Sequence, residues 1–485
     1  MTRQLRRLSI VMLAMFLALF VSTSWIQVVE AESLGQHDEN RRTLLDSYEI
    51  QRGSIVASGI PIATSVPSGD AYSWQRLYTD GPLWAQVTGY FNPALVSSTG
   101  IERALSGDLS GTGASAFFAS IERILSGQPQ RGSTVELTLD AAAQRAAYEA
   151  LSGLKGGVLA IEPATGRILA MVSTPSFDVN ELAVHNFAAA NTRYDELEAD
   201  PDDPLYNRAI AGDLNPPGSV FKLVVAAAAL ETGLWAPDSE FPNPVSYTLP
   251  GTSTPVTNYN NGTCGSGETA TIETALRLSC NTIFAQLAVA IGEDVIGDMA
   301  AKFGFDTSFE TPLTSTASVY PRGLSDDKVG LSGFGQGDVR ATPLQMAMVS
   351  AGIANDGVVM NPYLVDAVLA NDLSVLRSYE ASEFDRAISE ELAATMTAMM
   401  VDGVKSGAAT GARIDGVAVA GKTGTAENGP GQPYSLWFTG FAPADNPQIA
   451  IAVVVEDGGG RGQSGTGNAI AAPIAKRVIE AVLNR

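Results

Sequence analysis

Apolar residues are spread along this chain in two different ways. From Leu8 to Val29 they form a run of 22 residues (LSIVMLAMFLALFVSTSWIQVV) without one charged side chain. At about 1.5 Å rise per residue, such a run crosses a hydrocarbon layer of about 30 Å as a helix. Arg3, Arg6 and Arg7 precede it and Glu30 and Glu32 follow it. The cytoplasmic bias of basic residues then places residues 1–7 in the cytoplasm, residues 8–29 in the membrane as a single-pass anchor, and the rest outside. A cleaved signal peptide processed at Val29-Glu30-Ala31 is the rival, but its apolar region would span only about 7 to 15 residues. Later Ala-rich runs such as Leu223–Leu230 are too short to cross.

Beyond the anchor the apolar residues come in short periodic segments. Residues 30–153 alternate brief apolar runs with Gly, Pro and Ser (SIVASGIPIATS, AQVTGYFNPALV), the pattern of a small, loop-rich β module. Within it Arg131–Asp140 alternates with period two, as a strand does, and residues 141–154 (AAAQRAAYEALSGL) read as a helix ended near Gly153. Residues 156–173 are two apolar runs joined by Pro163-Ala164-Thr165-Gly166, a hairpin pattern, and the texture changes there, so a second domain is expected over 154–485. It mixes Ala-rich helices with strands and closes with QIAIAVVVEDGG and a helix over Ala469–Leu483. The expected class is α+β, with an antiparallel sheet flanked by helices. The acidic stretch Asp195–Pro204 reads as a solvated loop, with a lid or partner contact as the alternative.

Composition narrows the chemistry. A net charge of -22 with no basic cluster argues against nucleic-acid partners. Only two histidines, His37 and His185, are present, so a His-rich metal site is out of reach and a Ser-His-Asp relay would rest on one of them. No metal or cofactor is expected. Two cysteines, Cys264 and Cys280, are 16 apart. Outside the cytosol they are expected to pair, with two unrelated buried thiols as the alternative.

In NPPGSVFKLVVAAAALETG (Asn215–Gly233), two prolines and a glycine break the chain before an Ala-rich helical segment, leaving Ser219 at the helix start. Lys222, three residues on, lies about one turn away on the same face. A serine needs a base, and in a chain nearly without histidine Lys222 can serve if burial and a second cation keep it neutral part of the time. The helix start also offers free N–H groups to an oxyanion. Taken alone, the bland reading is an N-cap serine beside a snorkelling lysine. Ser279-Cys280-Asn281 between two helical stretches has its own bland reading as a helix cap. Lys422-Thr423-Gly424, ending the run GVAVAG before the strand-like SLWFTGFAP, has one as a solvated turn. The combination S-x-x-K, S-x-N, K-T-G in that order marks β-lactamases and penicillin-binding proteins.

At this point the chain resembles the class B penicillin-binding proteins, peptidoglycan D,D-transpeptidases. The likeness extends over Arg52-Gly53-Ser54-Ile55, VTGYFNPALVSSTGIERALSG (87–107), YNRAIAGDLNPPGSVFK (206–222), SGFGQGDVRATPLQMA (332–347) and AGKTGTAE (420–427). The VTGYF block and compact N-terminal module look most like a short division-associated subgroup of actinobacteria. Cys280 replaces the Asp or Ser of many relatives. The resemblance implies a pedestal over 30–153, a transpeptidase domain with an added all-helical subdomain over 154–485, and a serine acyl-enzyme made from a D-Ala-D-Ala stem peptide. It implies Ser219 as nucleophile, Lys222 as base, Ser279 as proton relay with Lys422, and Asn281 holding Lys222 and the substrate amide. Thr423, Gly424 and Thr425 would bind the terminal carboxylate and the peptide, and the N–H groups of Ser219 and Thr425 would form the oxyanion hole. Partners implied are donor and acceptor stem peptides, β-lactams as inhibitors, the cytoplasmic membrane, and division or elongation proteins such as a shape-elongation-division-sporulation glycosyltransferase. Gly333, Gly335 and Gly337 match the family's G-x-G-Q segment and are read as a flexible loop near the cleft, since a nucleotide loop would need a strand-turn-helix setting. The alternatives are a catalytically weak scaffold or β-lactam sensor, and a hydrolytic D,D-carboxypeptidase or β-lactamase, for which no deacylating base is apparent.

Overall fold

A computed structural model describes residues 2–28, 30, 48–95, 97–113, 130–212 and 214–484. The charge-free run lies in helix α1, Thr2–Val28, whose Arg3–Gln27 stretch is almost entirely exposed and is long and apolar enough to cross a membrane. Arg3, Arg6 and Arg7 continue this helix. Val29 and Ala31 of the alternative cleavage site lie outside the described residues, as does His37.

The N-terminal module is built on strands β1 (Ile55–Ala57), β2 (Ile60–Pro67), β3 (Trp74–Tyr78) and β4 (Thr134–Leu137). Arg52, Arg76 and Glu102 meet beneath this sheet as a buried cluster: Glu102 takes Arg52 at 2.8 Å and Arg76 at 2.6 Å. His185 Nδ1 and Asp70 Oδ2 lie in hydrogen-bond contact at 2.7 Å. The module is not made from 30–153 alone. Strands β8 (Val365–Leu369) and β9 (Val375–Ser378), from far along the chain, extend the sheet in the order β9-β8-β4-β1-β2-β3. Conversely helix α2 (Ala141–Ala150) packs Ala143 and Ala147 into the core of the second domain.

That second core surrounds a five-stranded antiparallel sheet. Its strands are β5 (Gly156–Ile161), β6 (Ile168–Thr174), β10 (Ala420–Ala426), β11 (Ser435–Ala442) and β12 (Ile449–Val455), in the order β10-β11-β12-β5-β6. Period-two alternation decides which face each residue covers. Val158 and Ala160 pack with α2 and the C-terminal helix Ala471–Leu483, while Leu159 and Ile161 turn to the opposite core. That helix starts two residues later than Ala469. Both faces are covered, which explains why these strands are continuously apolar rather than alternating. A helical layer holding α4 (Lys222–Glu231), α5 (Ile272–Leu278) and α6 (Asn281–Ile291) packs beyond it. Helix α3 (Phe187–Glu198) includes Asp195–Glu198, so the first four residues of the acidic stretch are helical and only its remainder is loop.

Candidate active site

The nucleophile loop is a place of close backbone approach. NPPG leads into a 3-10 turn, Gly218–Phe221, that runs on into α4. Gly218 sits at φ 55, and a Cβ there would lie 3.0 Å from that of Ala426. Its N–H donates to Gly335 O at 2.9 Å, and a Cβ on Gly335 would come within 2.1 Å of Gly218 O. Ser219 follows, half-buried, and among the described residues its Oγ has no hydrogen-bond partner.

Lys222 is completely buried at the start of α4. Its Nζ donates to Ser279 O at 2.8 Å and Asn281 Oδ1 at 2.8 Å. Lys422 is also buried and donates to Ser279 Oγ at 2.7 Å and Thr423 O at 2.9 Å. Among the described residues neither lysine has a carboxylate partner, which is costly for a charge out of water. Burial first, then the charge of Lys422, holds Lys222 well below the ordinary lysine range. Burial brings Lys422 from 10.5 to about 7. A neutral amine has two hydrogens and one lone pair. In its neutral form Lys222 would commit both hydrogens to these two oxygens and keep the lone pair, the feature a proton acceptor needs.

The turn between α5 and α6 carries the second pair of groups. Ser279 occupies the left-handed region at φ 63, which costs a non-glycine residue about 1 kcal/mol or more. Surrounding bonds hold it there. Cys280 N donates to Ala275 O at 2.9 Å, and Cys280 is joined to Cys264 by a disulfide. With its sulfur so engaged, Cys280 cannot cap α6. Asn258, just past strand β7 (Pro255–Thr257), caps it instead: its Oδ1 accepts from Asn281 N at 2.7 Å and Thr282 N at 3.1 Å. Asn281 Nδ2 donates to Thr257 O at 3.0 Å. Asn281 is therefore fixed on both sides, with Oδ1 turned to Lys222.

Lys422-Thr423-Gly424 lies inside β10 rather than at a strand end. The strand begins at Ala420, and Gly416–Val419 precede it. Among the described residues β10 is the sheet edge, paired with β11 alone. Residues two apart on a strand aim their N–H groups the same way, so Thr423 and Thr425 share one edge. Thr423 Oγ1 donates to Ala408 O at 2.9 Å, whereas Thr425 Oγ1 accepts from Gly467 N at 3.2 Å and keeps its own proton. A Cβ on Gly424 would lie 2.8 Å from Pro217 O, so the space left by this glycine is taken by the nucleophile loop itself. The structure thus gathers Lys222, Ser279, Asn281 and Lys422 into one hydrogen-bonded group, with Ser219 at the helix start beside β10.

Several supports carry no motif. Trp437 Nε1 donates to Pro216 O at 2.9 Å, and Asn215 bridges Glu456 at 3.1 Å and Ser435 at 2.7 Å. The side-chain amide of Gln336 bonds Glu427 N at 2.9 Å and Glu427 O at 3.2 Å. The 333–337 segment is consequently tied to both the nucleophile loop and Glu427, the residue just past β10, and is not a free loop. Gln336 was visible in the G-x-G-Q pattern. Asn258 had no signal, because its partner lies 23 residues away.

Comparison with known proteins agrees on one family. The penicillin binding protein transpeptidase domain matches residues 156–480, and the penicillin binding protein A dimerisation domain matches 52–135. The chain is 39% identical to peptidoglycan D,D-transpeptidase PbpA of Mycolicibacterium smegmatis, over 100% of this chain and 99% of that one. It is 38% identical to PbpA of Mycobacterium tuberculosis with the same coverage. Among solved structures, the ceftriaxone acyl-enzyme complex of M. tuberculosis penicillin-binding protein A aligns with TM-score 0.87 and 38% identity, covering 90% of this chain and 100% of that one.

Proposed function

The chain belongs to the class B penicillin-binding proteins, and on that footing we propose how its residues carry out the reaction. It is a serine-type peptidoglycan D,D-transpeptidase. The observation that carries the residue-level reading is the pair of buried lysines without carboxylate partners, meeting at Ser279. Lys222, neutral and with both hydrogens engaged, takes the Ser219 proton as Oγ attacks the carbonyl of the penultimate D-Ala. The N–H groups of Ser219 and Thr425 receive the oxyanion. Ser279, accepting from Lys422, passes a proton to the leaving D-Ala nitrogen. Thr425, with Lys422 and Thr423, binds the terminal carboxylate. Asn281 orients Lys222 and meets the donor amide. An amine from a neighbouring stem peptide then replaces Ser219 on the acyl group and forms the cross-link.

The apolar α1 supports a single-pass anchor with residues 1–7 cytoplasmic and the catalytic domain outside. We place the catalytic domain over 154–485 and the pedestal over 30–153, with β8 and β9 lent to the pedestal sheet. A role in septal wall synthesis, beside a glycosyltransferase of the shape-elongation-division-sporulation class, rests on likeness to the division-associated subgroup; depletion that leaves septation normal would refute it. The test of the mechanism is covalent labelling by a fluorescent penicillin. Labelling should vanish in Ser219→Ala, and a wild-type protein that never labels would defeat the reading.

A further inference from the structure

A cavity of about 390 Å³ opens directly beside the 278–280 turn, walled by the loop from Asn258 to Gly265. Its size lies in the range of small-ligand sites, about 300 to 1,000 Å³. Ser279 lines this cavity and also belongs to the lysine network. The wall is tied to the turn at both ends. Asn258 caps α6 at one end, and the Cys264–Cys280 disulfide closes the other. The cavity therefore keeps its register with the catalytic groups even though its wall is a loop.

The lining contains no Asp, Glu, Lys, Arg or His, a notable composition in a chain of net charge -22. Tyr259 stands at the wall 78% exposed. Asn260 accepts from Gly262 N at 3.0 Å through Oδ1, which leaves its amide hydrogens for a ligand. The lining can thus hydrogen-bond amides, but it offers no counter-ion to a charged group.

The transpeptidase reading on which this rests makes the location meaningful. The attacking amine must enter where the leaving D-Ala nitrogen departed, because one relay serves both proton transfers. That point faces Ser279. We propose that the cavity beyond it receives the acceptor stem peptide, as an uncharged, amide-bearing stretch next to the attacking side-chain amine. In the step it serves, the acceptor nitrogen bonds to the acyl carbon, the bond from that carbon to Ser219 Oγ breaks, and the amine's proton passes through the relay to Oγ. The product is a peptide amide and a free Ser219.

The experiment follows the acyl-enzyme formed by the full chain in detergent with a D-Ala-D-Ala donor, and measures its partition between water and an added acceptor peptide. An acceptor with its carboxylates amidated should be used at least about tenfold better than the same peptide with free carboxylates, since the latter strands a charge. In Tyr259→Ala and in Asn260→Asp, which keeps the bond to Gly262 N, the acceptor concentration for half-maximal aminolysis should rise about fivefold, the loss of one neutral hydrogen bond. Penicillin labelling should stay within about twofold, as neither change touches the base. Unchanged acceptor dependence would overturn the proposal, and so would a parallel loss of labelling, which would assign the wall to the donor. A wild-type protein that forms no acyl-enzyme would instead defeat the transpeptidase reading beneath it.

Discussion

Replacing Lys422 with methionine should abolish acylation while making the protein more stable at neutral pH. Folding carries this ammonium from 10.5 to about 7. Each unit corresponds to about 1.4 kcal/mol, so near pH 7 the burial of Lys422 disfavours the native state by about 4 kcal/mol. The native value lies below the unfolded one. Between about pH 7 and about 10.5 the unfolded chain therefore holds more protons, and stability rises with pH across that window. By pH 10 the penalty has fallen below about 1 kcal/mol. Methionine fills similar space without a charge to lose, but it deserts Ser279 Oγ and Thr423 O, two bonds worth about 1 kcal/mol each. The variant should thus be about 2 kcal/mol more stable at pH 7 and about 1 kcal/mol less stable at pH 10. Denaturant unfolding of the detergent-solubilised chain at both pH values, followed by tryptophan fluorescence, gives the comparison. A stability difference that does not change between pH 7 and 10 would show that Lys422 keeps its proton on folding, and would refute the reading that burial lowers its proton affinity.

Two further outcomes follow from the supports of the site and a third from the N-terminal module. Asn258→Ala uncaps α6 and should cost about 1 to 2 kcal/mol while slowing penicillin labelling, and Asn258→Asp, which still accepts the capping bonds, should recover most of both. Reduction of Cys264–Cys280, or its replacement by two serines, releases a loop with 16-residue separation; unfolding should become easier by about 3 kcal/mol, with labelling slowed because the Ser279 turn loses its tether. Glu102→Gln leaves Arg52 and Arg76 buried without their anion and should destabilise the N-terminal module by about 3 to 5 kcal/mol, read in the same unfolding experiment, with labelling of the still-folded fraction unchanged.

Local chemistry is legible from the chain because it is written in adjacent residues. The 22-residue apolar run announces α1, and proline, glycine and alanine composition places Ser219 at a helix start. Scarcity of histidine directs attention to a lysine base. The Pro163–Gly166 turn yields the β5–β6 pairing, for a hairpin needs only its own turn and two apolar runs. Motif order points to the family. Boundaries are less legible. Lys422-Thr423-Gly424 reads as a strand end, but β10 continues through it, since pairing with β11 decides where a strand stops. Asp195–Glu198 reads as loop although Asn186 caps a helix that reaches Glu198.

What only tertiary structure decides concerns residues far apart in the chain. β8 and β9 complete the sheet of a module that begins some 300 residues earlier, because an exposed edge at β4 is satisfied by any strand of suitable register. The cap of α6 comes from Asn258, as the disulfide removes Cys280 from that task. Most of all, the sequence by itself determines that Lys222 and Lys422 exist and which motifs hold them. It does not determine that both are stripped of water and meet at Ser279 without a carboxylate. Desolvation is a property of everything packed around a group, so the proton affinity on which the chemistry turns is set by the folded interior rather than by any stretch of sequence.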